Sequence, residues 1–137
     1  MRIDFKRNNR IALRNFSENC DFHDIVKLLI VKQLRRTLKR SDRCPIYTEH
    51  DPERPQEFYP DIWACTDKGE IYVWELQDKL TNGWRERIVQ QYEDVNLIIV
   101  DLQKVKKELK KVLVDKDGFC DWITELKTIL QAENAFL

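Results

Sequence analysis

The chain is poor in residues that punctuate or cross-link a fold. Three glycines and four prolines serve 137 residues, and every proline lies between positions 45 and 60. A linker-divided or low-complexity chain is therefore excluded, and sturdy elements with short joins are expected. Cys20, Cys44, Cys65 and Cys120 are scattered, with no Cys-x-x-Cys pair and no Cys/His grouping of zinc-site spacing. Neither a zinc ribbon nor a thioredoxin-like site is signalled, and the cysteines read as reduced thiols. The opening MRIDFKRNNR has no apolar signal core, and no apolar run approaches bilayer length. An intracellular protein, cytoplasmic or nucleoid-associated, with no membrane partner is expected. Excess charge of one sign is also missing, because 24 basic residues balance 24 acids. No global basic field announces a nucleic-acid partner.

What is present is a hydrophobic content of 42%, which excludes global disorder. A chain of this length buries one core without disulfides, so a single domain spanning 1–137 is expected. Charge is uneven along it. Lys27, Lys32, Arg35, Arg36, Lys39, Arg40 and Arg43 form a basic stretch against Asp42 alone, whereas Glu49 to Asp61 carries five acids against Arg54. Such runs are most often solvated faces.

Apolar residues recur at helical spacing from Asp21, an N-cap candidate, to near Arg40. CPIYTEH (44–50) reads as a short strand, and the proline-bearing DPERPQEFYP behind it as a loop. Strands flank the turn TDKG, over about 60–66 and 70–77. TNGW then caps a helix reaching about Asp94, with Trp84, Ile88, Tyr92 and Val95 as its stripe. NLIIVDL (96–102) predicts a central strand buried on both faces. A helix carrying Val105, Leu109 and Val112 follows, Gly118 interrupts it, and a last helix starts at Phe119. The order α-β-β-β-α-β, with further C-terminal helices, predicts an α/β fold whose mixed four-stranded sheet is flanked by helices. Its core covers about 17–102, and 103–137 is a helical extension.

The hairpin carries the chemistry. A three-residue loop, Asp67-Lys68-Gly69 with Gly69 left-handed, sets Thr66 opposite Glu70, Trp63 opposite Val73, and Asp61 opposite Glu75. Like charges across a ladder are destabilising, so two facing carboxylates ask for a compensating positive charge. With Gln77 on the same face two residues on, they form a seat for a hard divalent cation such as Mg²⁺. A register slip of one residue would instead send the acids to opposite faces.

PDIWACTDKGEIYVWELQ resembles the PD-(D/E)xK nuclease signature: Pro60-Asp61, a hairpin, then Glu75-Leu76-Gln77. The element order is similar to that superfamily's core. Gln77 replaces the usual lysine, as in branches with E-x-Q, among them competence-associated nuclease-like proteins in which His-x-x-x-Lys precedes the acids. Here His23 and Lys27 have that spacing, and Arg85, Arg87, Gln91 and Tyr92 after the hairpin resemble the polar residues that the superfamily places beside its metal. The resemblance implies a metal-dependent DNA nuclease in which Asp61 and Glu75, with the Leu76 carbonyl, hold Mg²⁺ or Mn²⁺. Gln77 then orients water, and Lys79 or Lys27 supplies the missing charge. A third acid comes from Asp24, Glu18 or Glu49, with Asp24 ranked first. Lys27, Lys32, Arg35, Arg36, Lys39, Arg85 and Arg87 contact the DNA backbone, with little base specificity. The alternatives are an inactive member of the fold that binds nucleic acid or protein, and an assembly protein that pairs as a homodimer through the last helix.

Overall fold

The computed structural model describes residues 9–10, 22–38, 43–114 and 122–137. Helix α1 (Phe22–Thr37) places Val26, Ile30 and Leu34 on its buried side, following the helical spacing of its apolar residues. The Asp21 cap, Lys39 and the end of the expected helix near Arg40 lie outside the described residues, as do Gly118 and Phe119. Among the described residues five strands form one sheet in the order β1 (Asn9–Arg10), β2 (Ile46–Thr48), β3 (Ile62–Cys65), β4 (Ile71–Gln77) and β5 (Asn96–Asp101). The outer pairs β1–β2 and β4–β5 are parallel, and the two inner pairs are antiparallel. The expected mixed sheet is thus present, with the two-residue β1 added at one edge.

The β3–β4 turn forms as its residues dictate. Gly69 has φ +78°, the Thr66 N–H donates to the Glu70 carbonyl at 2.9 Å, and the Gly69 N–H donates to the Thr66 carbonyl at 2.9 Å. The register this fixes pairs Cys65 with Ile71, Trp63 with Val73, and Ile62 with Trp74.

Alternation then sorts the side chains into two cores. Ile62, Ala64, Trp74 and Leu76 pack under α1, α3 (Leu102–Val114) and α4 (Trp122–Ala132). Trp63, Cys65, Val73 and Tyr47 face the other way, against Ile88 and Tyr92 of the α2 region (α2, Asn82–Gln91). Thr81 caps α2 by accepting from the Trp84 N–H at 3.1 Å, and the expected stripe of Trp84, Ile88, Tyr92 and Val95 all joins this second core. Asp101 accepts the Lys104 N–H at 3.2 Å, so α3 starts immediately after β5.

One expectation about the sheet is corrected. Among the described residues β5 pairs with β4 alone and so stands at the edge of the sheet, and most of its residues are half-buried. Its apolar run reflects helices on both faces, since Leu97 joins one core while Ile98 and Val100 join the other. Covered faces say nothing about whether a further strand is paired alongside.

The apolar stripe of α4 points inward through Leu126 and Leu130, leaving Trp122 exposed. Asn134, at φ +58°, ends α4 in the left-handed conformation, and the Ala135 N–H donates back to the Leu130 carbonyl at 2.9 Å. That reversal brings the Ala135 carbonyl to the buried indole N–H of Trp74, 2.8 Å away. Among the described residues no helix is long and apolar enough to cross a membrane.

Candidate functional site

Three acids stand side by side where three strands end. The register pairs Thr48 with Ile62 and Ile62 with Trp74. The next row along the sheet is therefore Glu49, Asp61 and Glu75, so the hairpin does set Asp61 across from Glu75. β3 has ended by this point, and Asp61 Oδ2 accepts the Leu76 N–H at 2.7 Å. Asp61 is 2% exposed. A carboxylate so buried is tolerable only with strong partners, and the second comes from α1: His23 Nε2 lies 3.0 Å from Asp61 Oδ1.

Behind this row sits a charged layer inside the protein. Lys27 is wholly buried, with its Nζ 2.9 Å from Glu49 Oε1 and 3.6 Å from Asp24 Oδ1. Asp24 is equally buried and also lies 3.4 Å from His23 Nδ1. Hence His23 and Lys27, one helical turn apart, brace the ends of two strands: His23 holds Asp61 and Lys27 holds Glu49. Glu49 has φ +53°, an uncommon conformation for a residue with a side chain, and donates its N–H to the Asp61 carbonyl at 3.4 Å.

Among the described residues Glu75 is held by no such cation. Burial and the neighbouring Asp61 carboxylate push its carboxyl up from an ordinary value of 4.5 to about 8, Glu49 adds to the rise, and the Tyr92 hydroxyl opposes it. The carboxyl is therefore mostly protonated at neutral pH. Two facing carboxyl groups that hold a proton between them offer the oxygen ligands that a hard divalent cation takes. Mg²⁺ needs only one or two protein carboxylates, since waters complete its shell. Among the described residues no group of three or more His, Cys, Asp or Glu is arranged to hold a metal, because Glu49, the third of the row, turns to Lys27. The residues fit a two-carboxylate seat.

The other expected residues divide clearly. Gln77 follows Glu75 on the same face, opposite Asp101 of β5, and Lys79 is exposed just beyond the strand. Lys32, Arg35 and Arg36 lie exposed on α1, and Arg85 and Arg87 on α2. Lys27 was expected on the phosphate-binding face and is not there, because it is buried and ion-paired. Asp24 lies behind the acid row rather than in it. The signal for both was their spacing: Lys27 falls in register with Ile30 and Leu34, the buried side of the helix.

Two contributors were named from sequence without being ranked first. One is Glu49, whose place beside Asp61 depends on the β2–β3 register. The other is the hydroxyl of Tyr92, expected both in the apolar stripe of its helix and, through the resemblance, among the polar residues beside a metal; it is buried, and burial and the Glu75 charge raise its pKa. The loop between β2 and β3 is pinned by Asp51, which accepts the N–H groups of Glu53 at 2.9 Å and Arg54 at 3.1 Å. A cavity of about 500 Å³ lined by Gln33 of α1 and Gln131 of α4 contains none of the acids. No protein-family model, curated protein or solved structure matches the chain.

Proposed function

We propose that the protein is an intracellular, metal-dependent DNA nuclease of the PD-(D/E)xK type in its E-x-Q form, hydrolysing phosphodiester bonds at the Asp61–Glu75 row. The observation that carries this reading is the facing pair itself, in which repulsion and burial hold Glu75 at about 8, so that a divalent cation has a charge deficit to fill. Asp61 and Glu75 hold Mg²⁺ or Mn²⁺, with the Leu76 carbonyl beside them. When bound, such an ion neutralises charge on a phosphate and lowers the pKa of water.

The chain's own residues do the rest. His23 and the Leu76 N–H keep Asp61 turned toward its neighbour. Gln77 hydrogen-bonds and orients water but brings no charge. The exposed Lys79 is the cation next along the chain, and it takes the part that Lys27, held by Glu49 and Asp24, is placed to play only through Glu49. Lys32, Arg35 and Arg36 with Arg85 and Arg87 bind the phosphate backbone, which makes binding salt-sensitive and indifferent to sequence.

A second reading, a nuclease fold kept for recognition without cleavage, is favoured by one observation: the position of the usual lysine is the neutral Gln77. One experiment separates the two. Supercoiled, linear, single-stranded and branched DNA are incubated with Mg²⁺, Mn²⁺ or EDTA, using wild type, Asp61→Asn and Glu75→Gln. Metal-dependent products lost in both variants support the nuclease. Salt-sensitive binding of one DNA form with no cleavage at any metal concentration supports recognition alone, and cleavage retained in both variants refutes the assigned site.

A further inference from the structure

Helix α3 carries five lysines and one acid, Glu108, in a chain whose formal net charge is zero. Its apolar side is already used: Leu102, Val105 and Leu109 are buried in the core shared with α1 and α4. The opposite side turns Lys104, Lys107, Lys110 and Lys111 to solvent. Lys107 stands three or four residues, about one turn, from each of the other three, so like charges crowd this face.

The helix itself gains nothing from the arrangement. Like charges at that spacing oppose helix formation, and Lys104 lies in the first turn, at the positive end of the helix dipole, where no acid offsets it. Three of the lysines are partly compensated: Lys104 by Glu133 at 3.1 Å, Lys106 by Asp78 at 3.0 Å and Lys111, loosely, by Glu108 at 3.8 Å. Lys107 and Lys110 have no ion pair or side-chain hydrogen bond among the described residues.

This face starts beside the acid row. α3 follows directly on Asp101, which pairs with Gln77, two residues beyond Glu75. The Lys106 ammonium also lies 5.4 Å from the centre of the Phe22 ring, and Phe22 precedes the His23 that holds Asp61. From Lys104 to Lys111 the face then runs about 10 Å away from that end of the sheet. A lipid surface fits it poorly, because an interfacial helix must bury its apolar side in lipid and that of α3 is buried in the protein.

We infer that the lysine face of α3 is a further contact surface for duplex DNA, with Lys107 and Lys110 each neutralising a backbone phosphate beyond the acid row. This rests on the nuclease reading above and adds to it a surface in the helical extension, outside the residues that carry the resemblance. Each phosphate neutralised by a lysine releases counterions, so the contact is visible as salt dependence.

The test is the double variant Lys107→Gln/Lys110→Gln, since glutamine matches lysine in helix propensity and removes only charge. Lys68→Gln, in the exposed turn at the other end of the β3–β4 hairpin, controls for net charge. Binding of a labelled duplex DNA in EDTA is followed by fluorescence anisotropy over a series of salt concentrations. The expected result is a log–log salt slope shallower by about 1.8 in the double variant, about 0.9 for each of two phosphates, with the slope of Lys68→Gln unchanged. A wild-type slope in the double variant overturns α3 as a contact surface and leaves the nuclease reading standing. A slope that falls as much per charge removed in Lys68→Gln also overturns it, because net charge alone would then be responsible. Binding to phosphatidylserine vesicles that requires Lys107 and Lys110, with DNA binding unaltered, overturns it in favour of a membrane surface. If wild type binds no DNA at any salt concentration, the DNA reading itself fails and the inference falls with it.

Discussion

Replacing Glu75 by glutamine should stabilise the cation-free protein at alkaline pH and remove a pH dependence that wild type shows. In the unfolded chain Glu75 titrates near its ordinary 4.5, whereas in the folded protein burial and Asp61 raise it to about 8. Between those values the folded state holds a proton that the unfolded state has lost. Stability therefore falls as pH rises through this window, by up to about 1.4 kcal/mol per pH unit, and levels off above about 8. The full penalty is at most about 5 kcal/mol. Glu75 keeps some solvent contact, so a gain of roughly 2–3 kcal/mol for Glu75→Gln at pH 9 is expected, or roughly 6–10 °C in Tm for a domain of this size. At pH 5 the two proteins should be nearly equal. Urea unfolding of both in EDTA from pH 5 to 9 checks this, and comparing them at each pH cancels the titrating groups that do not interact with Glu75. Parallel stability curves across the range would refute the claim that Asp61 and burial hold a proton on Glu75.

Lys27→Met should destabilise the protein by about 3–5 kcal/mol, because it leaves the buried Asp24 and its neighbour Glu49 without their ammonium. Adding Asp24→Asn should recover part of that loss in denaturant titrations, and a loss under about 1 kcal/mol would show that the ion pairs carry little. Gly69→Ala should cost about 1 kcal/mol purely through the backbone. A Cβ at Gly69 meets nothing within 4 Å and φ is +78°, so Gly69→Asn should cost less than Gly69→Ala in thermal unfolding. Equal midpoints for both variants would remove the left-handed turn as the cause.

Much of the site was legible because one turn encodes it. Asp67-Lys68-Gly69 fixes the hairpin register over a short distance, and strand alternation carries that register down to Asp61 and Glu75 with no further information. Helical spacing likewise gave the inner side of α2. Lys27 was placed on the phosphate-binding face because identity was weighed above position: a basic residue in a basic run was read as surface although its spacing follows Ile30 and Leu34. β5 was read as central because a two-faced apolar strand has the same composition at an edge as in the middle.

By itself, then, the sequence determined the local chemistry: which residues turn, which alternate, and which carboxylates face each other across a hairpin. Those are short-range consequences of φ preference and strand pleat. Only the tertiary structure decided what stands behind the carboxylates. A loop carrying three prolines separates β2 from β3, so no turn geometry fixes Glu49 beside Asp61. Nor does any local rule bring His23 from α1 to Asp61, Lys27 to Glu49, or the Tyr92 hydroxyl to Glu75. These contacts join elements far apart in the chain, and they form because each helix must bury its apolar side against the same sheet.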